Sequence, residues 1–109
     1  MTNTFEFGDI FIFRFPFTSG EFSKPRPALI LFSDEPDYII CPITSVLRTS
    51  KFDVTIQCWR EGGLEKPSGI RLNRLLTVEK KLLTRWIGKL NEVDLAVVKL
   101  AWNNHMVLR

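Results

Sequence analysis

An arginine clamped between two prolines, Pro25-Arg26-Pro27, is the first place in this chain where chemistry could be concentrated. Each proline fixes its own φ, and Pro27 drives Arg26 towards an extended conformation. The backbone that carries the guanidinium is therefore stiff. A guanidinium is permanently charged and offers a planar fork of donors matched to a phosphate. Thr44 and Ser45 follow directly after the apolar run 38–43. Their hydroxyls and backbone N–H groups can donate to phosphate oxygens. A third group is Arg71-Leu72-Asn73-Arg74. On a strand, Arg71 and Asn73 share one face about 7 Å apart, a span that one phosphodiester bridges. Each group also suits a plain structural role: a solvated arginine at a strand edge, a strand-to-turn cap, and the polar face of a half-exposed strand.

Other chemistries find little support. His105 is the single histidine, and it falls late in a C-terminal helix, where a surface or interface role is expected. The chain has no Ser/His/Asp set, no phosphate-cradling glycine loop and no paired-carboxylate motif. Its two cysteines, Cys41 and Cys58, both fall in expected strands and form no CxxC or Cys/His cluster. A metal site is not expected, nor a cofactor; two buried thiols in a reducing compartment are.

The elements that must position these residues are mostly strands. Residues 9–15 are rich in Ile and Phe. Residues 27–33 and 38–43 are near-continuous apolar runs, as in strands covered on both faces. Residues 51–57 alternate, with Phe52, Val54 and Ile56 on one side and Lys51, Asp53, Thr55 and Gln57 on the other. Residues 69–75 and 86–90 supply further strands. Thr77 is placed to cap a short helix over 78–83. The chain ends in a helix with Asn91 as N-cap and with Glu92 and Asp94 in the first turn. Val93, Val97, Leu100 and Ala101 give it an apolar stripe, expected to pack on the sheet. The fold expected is a small, strongly bent antiparallel sheet or open barrel with a C-terminal helix.

At 109 residues, 45% hydrophobic and 25% charged, the chain suits one globular domain over 1–109. Nine Phe and three Trp supply bulky core material, and the surplus is consistent with a dimer. A net charge of +3 permits a polyanionic partner without demanding one. No signal-like N-terminus and no membrane-spanning run occur, so a cytoplasmic location is expected and no membrane partner.

The runs GDIFIFRFPFT, KPRPALI, CPITS and KPSGIRLNRL, in that order, resemble the PemK/MazF family of toxins. The stretch GLEKPSGIRLNRLLTVEKKLL and the IGKL before the helix fit the same layout. The resemblance implies an SH3-like twisted β-barrel with a C-terminal helix, usually a homodimer. It implies a sequence-selective endoribonuclease that needs no metal. Single-stranded RNA would be cleaved by attack of the ribose 2′-OH, leaving a 2′,3′-cyclic phosphate and a 5′-OH. The implied catalytic residues are Arg26, Thr44, Arg71 and Asn73, the last standing where a carboxylate is common. Implied RNA contacts are Phe17, Ser19, Lys24, Ser45 and Arg74, with Phe17 or Phe22 stacking on a base. An antitoxin encoded beside the toxin is the implied protein partner, and DNA would be bound only by the toxin–antitoxin complex. Two other functions fit the pattern. One is a member that binds RNA or its antitoxin without cutting, with Asn73 marking lost chemistry. The other is a toxin of this fold acting on a topoisomerase.

Overall fold

The computed structural model describes residues 4–14 and 24–109. Seven strands and one α-helix follow in chain order: β1 (Asp9–Arg14), β2 (Pro25–Asp34), β3 (Asp37–Thr44), β4 (Asp53–Thr55), β5 (Gly69–Arg71), β6 (Leu76–Glu79), β7 (Arg85–Lys89) and α1 (Glu92–His105). A 3-10 turn at Lys80–Leu82 sits between β6 and β7. All strand pairs are antiparallel, in the spatial order β4-β5-β3-β2-β1-β7. The sheet is open, in keeping with the bent sheet or open barrel expected from sequence; the β-barrel that the resemblance implies does not close among the described residues.

Bending is concentrated in β3. Its first half, Asp37 to Ile40, pairs with β6. Its last two residues, Ile43 and Thr44, pair with β5. One strand thus serves two neighbours in succession on the same edge, and the sheet curls where it changes partner. The long apolar runs of β2 and β3 are buried on both sides, as their lack of alternation predicts. Ile10, Leu29, Leu31, Cys41, Ile43, Val54, Ile56, Ile70 and Leu72 form one core with Val98 of α1. Phe11, Phe13, Ala28, Ile30, Tyr38, Ile40 and Val78 form a second core on the opposite face.

Helix α1 starts as its sequence predicts. The Asp94 N–H donates to Asn91 Oδ1 at 3.0 Å. The packing stripe differs from the expected one. Val98 is buried, and Leu95, Ala101 and Trp102 pack beside it. Val93, Val97 and Leu100 face outward at 52%, 37% and 62% exposure. The deciding residue is Asp94, which is fully buried. Its carboxylate accepts the N–H of Gln57 at 2.8 Å and of Cys58 at 2.9 Å. A helix with two apolar stripes is turned by this clasp so that the 94/98 side faces the sheet.

Three further expectations are corrected. The short helix expected over 78–83 shrinks to the 3-10 turn at Lys80–Leu82, because 76–79 extend as β6, with Val78 buried and its neighbours exposed, and complete the free edge of β3. The strand expected over 69–75 stops at Arg71. The Leu72 N–H still reaches Phe52 O at 3.0 Å, and the Arg74 N–H then closes a turn onto Arg71 O at 3.2 Å. Cys58 lies in the turn after β4 rather than in a strand. Both thiols are free, and burial pushes the Cys41 thiol far up, which keeps it protonated and unreactive.

Candidate active site

Arg26 stands near the start of β2, directly opposite Phe13 of β1. Opposite residues of an antiparallel pair share a face, so Arg26 lies on the Phe13 side of the sheet, away from α1. The β2–β3 register pairs Ala28 with Pro42. Continued by two residues, it brings Arg26 opposite Thr44, on a neighbouring strand about 4.8 Å away. Thr44 in turn is opposite Gly69 of β5. Arg71 lies two residues further along β5, on the same face. Arg26, Thr44 and Arg71 therefore come from three adjacent strands and project on one side of the sheet. The apolar alternates, Ile43 and Ile70, point into the helix-side core.

The three differ in how they are held. Arg26 and Thr44 are half-buried. The Thr44 hydroxyl accepts the Val46 N–H at 3.0 Å. It is thus the strand-to-turn cap that its position allows, and the cap uses its acceptor side while leaving its hydrogen to donate elsewhere. Arg71 faces Asp53, its direct partner across the β4–β5 pair. Arg71 Nε lies 3.4 Å from Asp53 Oδ1, with side-chain exposures of 18% and 7%. At that distance the contact is an ion pair rather than a hydrogen bond. The other carboxylate oxygen accepts the Ser50 N–H at 3.2 Å. Thr44, Arg48, Asp53, Thr55 and Arg71 line a small cleft of about 10 Å³, room for about one water-sized group.

The remaining expected residues are not gathered as closely. Asn73 is exposed in the turn after β5, so it does not share a strand face with Arg71 as expected. Arg74 is exposed in the same turn, and Ser45 is exposed beside Thr44. Lys24 is exposed just before β2. Phe17, Ser19 and Phe22 lie outside the described residues.

Sequence alone passed over several groups. Asp53 was assigned merely to the polar side of an alternating strand, although that alternation does put it on the face opposite Val54. Arg48 carried no motif. A groove of about 790 Å³ opens on the Phe13 side next to Arg26; Phe13, Arg14, Pro25, Glu79, Lys81 and Arg85 are among its lining residues. Its cations come from three separate segments, which no local pattern connects.

A small bent antiparallel sheet with one C-terminal helix is the fold this chain shares with toxins of the MazF type. The Mycobacterium tuberculosis toxin MazF-mt6 superposes with a TM-score of 0.74 at 24% identity, over 93% of this chain and 98% of that one. An endoribonuclease from a mycobacterial species, in complex with its cognate antitoxin, superposes at 0.77 and 15% identity, over 97% and 98%. A chain of the MazE–MazF complex of Deinococcus radiodurans gives 0.69 at 18%, over 95% and 96%. Among curated protein sequences none matches. Residues 6–105 match the family model of the PemK-like, MazF-like toxins of type II toxin–antitoxin systems, and the chain belongs to that family.

Proposed function

We propose that this toxin is an endoribonuclease that cleaves single-stranded RNA without a metal ion. The observation that carries the reading is the convergence of Arg26, Thr44 and Arg71 from β2, β3 and β5 on one face. The 2′-oxygen of a ribose bonds to the adjacent phosphorus and the P–O5′ bond breaks. The 2′-hydroxyl loses a proton and the 5′-oxygen gains one. The products are a 2′,3′-cyclic phosphate and a 5′-OH, and no water is consumed. Negative charge rises on the non-bridging oxygens of the pentacoordinate intermediate. Arg26 and Arg71 stabilise it by charge, since a guanidinium stays protonated. The free hydrogen of the Thr44 hydroxyl donates to one of those oxygens, with Ser45 beside it. Lys24 and Arg74 extend the positive surface along the backbone, and the groove walled by Arg14, Lys81 and Arg85 gives flanking nucleotides a path.

The test is incubation of the purified protein with a long single-stranded RNA in EDTA. Wild type should cut, leaving cyclic-phosphate ends, and Arg26→Ala should lose about 10²- to 10³-fold in rate. An intact RNA with wild type, or equal cutting by the variant, would overturn the reading. Binding without cleavage would favour a family member that has lost its chemistry.

The antitoxin of the pair is proposed to lay an acidic segment over Arg26, Arg71 and the neighbouring groove, excluding RNA. A co-purified pair with undiminished nuclease activity would contradict this. The working form is proposed to be a cytoplasmic homodimer, a reading supported by exposed apolar residues such as Trp86 and Leu100. Sedimentation at micromolar concentration tests the dimer.

A further inference from the structure

Asp53 is a carboxylate in an unusual place. It sits beside Arg71 with its side chain 7% exposed, and each oxygen has a neighbour: one faces Arg71 Nε as an ion pair without a hydrogen bond, and the other accepts the Ser50 N–H. Ser50 and Asp53 form a closed turn, because the Asp53 N–H also donates to Ser50 O at 3.0 Å. The Ser50 hydroxyl accepts the Phe52 N–H at 3.0 Å, stiffening the same turn. One oxygen of the carboxylate is therefore anchored in this turn while the other stays turned to Arg71. Burying a carboxylate this far costs stability unless it is paired, and its partner is Arg71, across the strand pair.

We propose that Asp53 is the positioning residue of this nuclease: it holds Arg71 by its inner edge and aims the outer nitrogens at the scissile phosphate. The closest approach is at Nε, the nitrogen nearest the chain. A guanidinium has five donors in a fixed fork. The ion pair at Nε draws the inner edge of the fork towards Asp53 by charge and leaves the two terminal nitrogens for phosphate oxygens. Thr44 and Arg71 line the same cleft as Asp53, which places the hydroxyl and the guanidinium beside one another on the open face. Arg48 and Thr55 are among the other residues of that lining. Without Asp53, Arg71 would keep its charge but lose its direction. Asn73 does not supply this function, being an exposed amide in the following turn. The inference rests on the nuclease reading above.

The experiment is a mutant cycle in single-turnover and steady-state RNA cleavage, in EDTA, with wild type, Asp53→Asn, Arg71→Ala and the double variant. Asp53→Asn removes a negative charge beside the RNA phosphate while keeping size and shape. RNA should then bind as tightly or more tightly, with KM unchanged or lower. The maximal rate should fall about 10- to 100-fold, the loss expected from a misaimed charge. A purely structural role would not produce that split. On the Arg71→Ala background, Asp53→Asn should change the rate less than about twofold, because the group it aims is gone. Losses that multiply across the cycle would overturn the positioning role, as would Asp53→Asn cutting at the wild-type rate. If wild type itself leaves the RNA intact, the nuclease reading fails and this assignment with it. If wild type cuts and only the cycle disagrees, Asp53 alone is reassigned.

Discussion

The two faces of the sheet are built from alternate residues of the same strands, yet they end in different states. On one face Leu29, Leu31, Cys41, Ile43 and Ile70 run without interruption into α1, and the helix seals them. On the other, Phe11, Phe13, Ala28, Ile30, Tyr38 and Ile40 pack only over part of the sheet, under β6 and Leu83. Beyond Ala28 and Ile40 that face turns polar, at Arg26, Thr44, Arg71 and Asp53. The difference follows from β3 changing partner. Where it pairs with β6 the second face is covered, and where it pairs with β5 it is open. The sealed face secures the fold, and the half-open face carries the residues proposed for the chemistry.

Several variants would break or sharpen this division. The largest effect is expected from Arg26→Ala on the open face, where cleavage should fall up to about 10³-fold, equivalent to about 4 kcal/mol of barrier. Its melting temperature should stay within a few degrees of wild type, as differential scanning fluorimetry would register. A comparable loss of folding would merge the two faces into one functional unit. Next is Leu29→Ala on the sealed face, expected to cost about 3 kcal/mol in urea denaturation, with cleavage per folded molecule retained. Asp94→Ala should cost about 2 kcal/mol, since it orphans the buried N–H groups of Gln57 and Cys58. The smallest effect is alkaline. Burial raises Tyr38 above its ordinary value of 10.0 and Cys41 above 9.0. The unfolded chain releases these protons first, so stability is fully present below about pH 9 and declines as pH rises beyond it. Denaturation midpoints at pH 8, 9 and 10 check the sign; a rise towards pH 10 would contradict it.

Much of this was legible in the residues. The apolar runs of β2 and β3 announced burial on both sides, and Asn91 announced the start of α1. The RP and ITS runs marked two of the three residues that converge. Reading failed where a tertiary partner decided the outcome. The helix expected over 78–83 survives only as the 3-10 turn at Lys80–Leu82, because the edge of β3 takes Val78 and Glu79 into a strand. The 69–75 segment alternates past Arg71, but the turn closed by Arg74 ends it. The 93/97/100 stripe looked like the packing face until Asp94 turned the helix. Asp53 needed the β4–β5 register, which no local motif encodes.

The Asp94 clasp has a mechanical consequence. β4 is a three-residue strand at the end of the sheet, with β5 as its sole strand partner among the described residues. So short an edge would fray by itself. The carboxylate of α1 grips the chain just beyond it, at Gln57 and Cys58, from the sealed side. The outer strand of the site is thus moored to the helix as well as to the sheet. Amide exchange at Val54 and Thr55 should therefore keep time with that of the first helical turn, as one cooperative unit, and any ligand that stiffens the helix start would quiet the strand that carries Asp53.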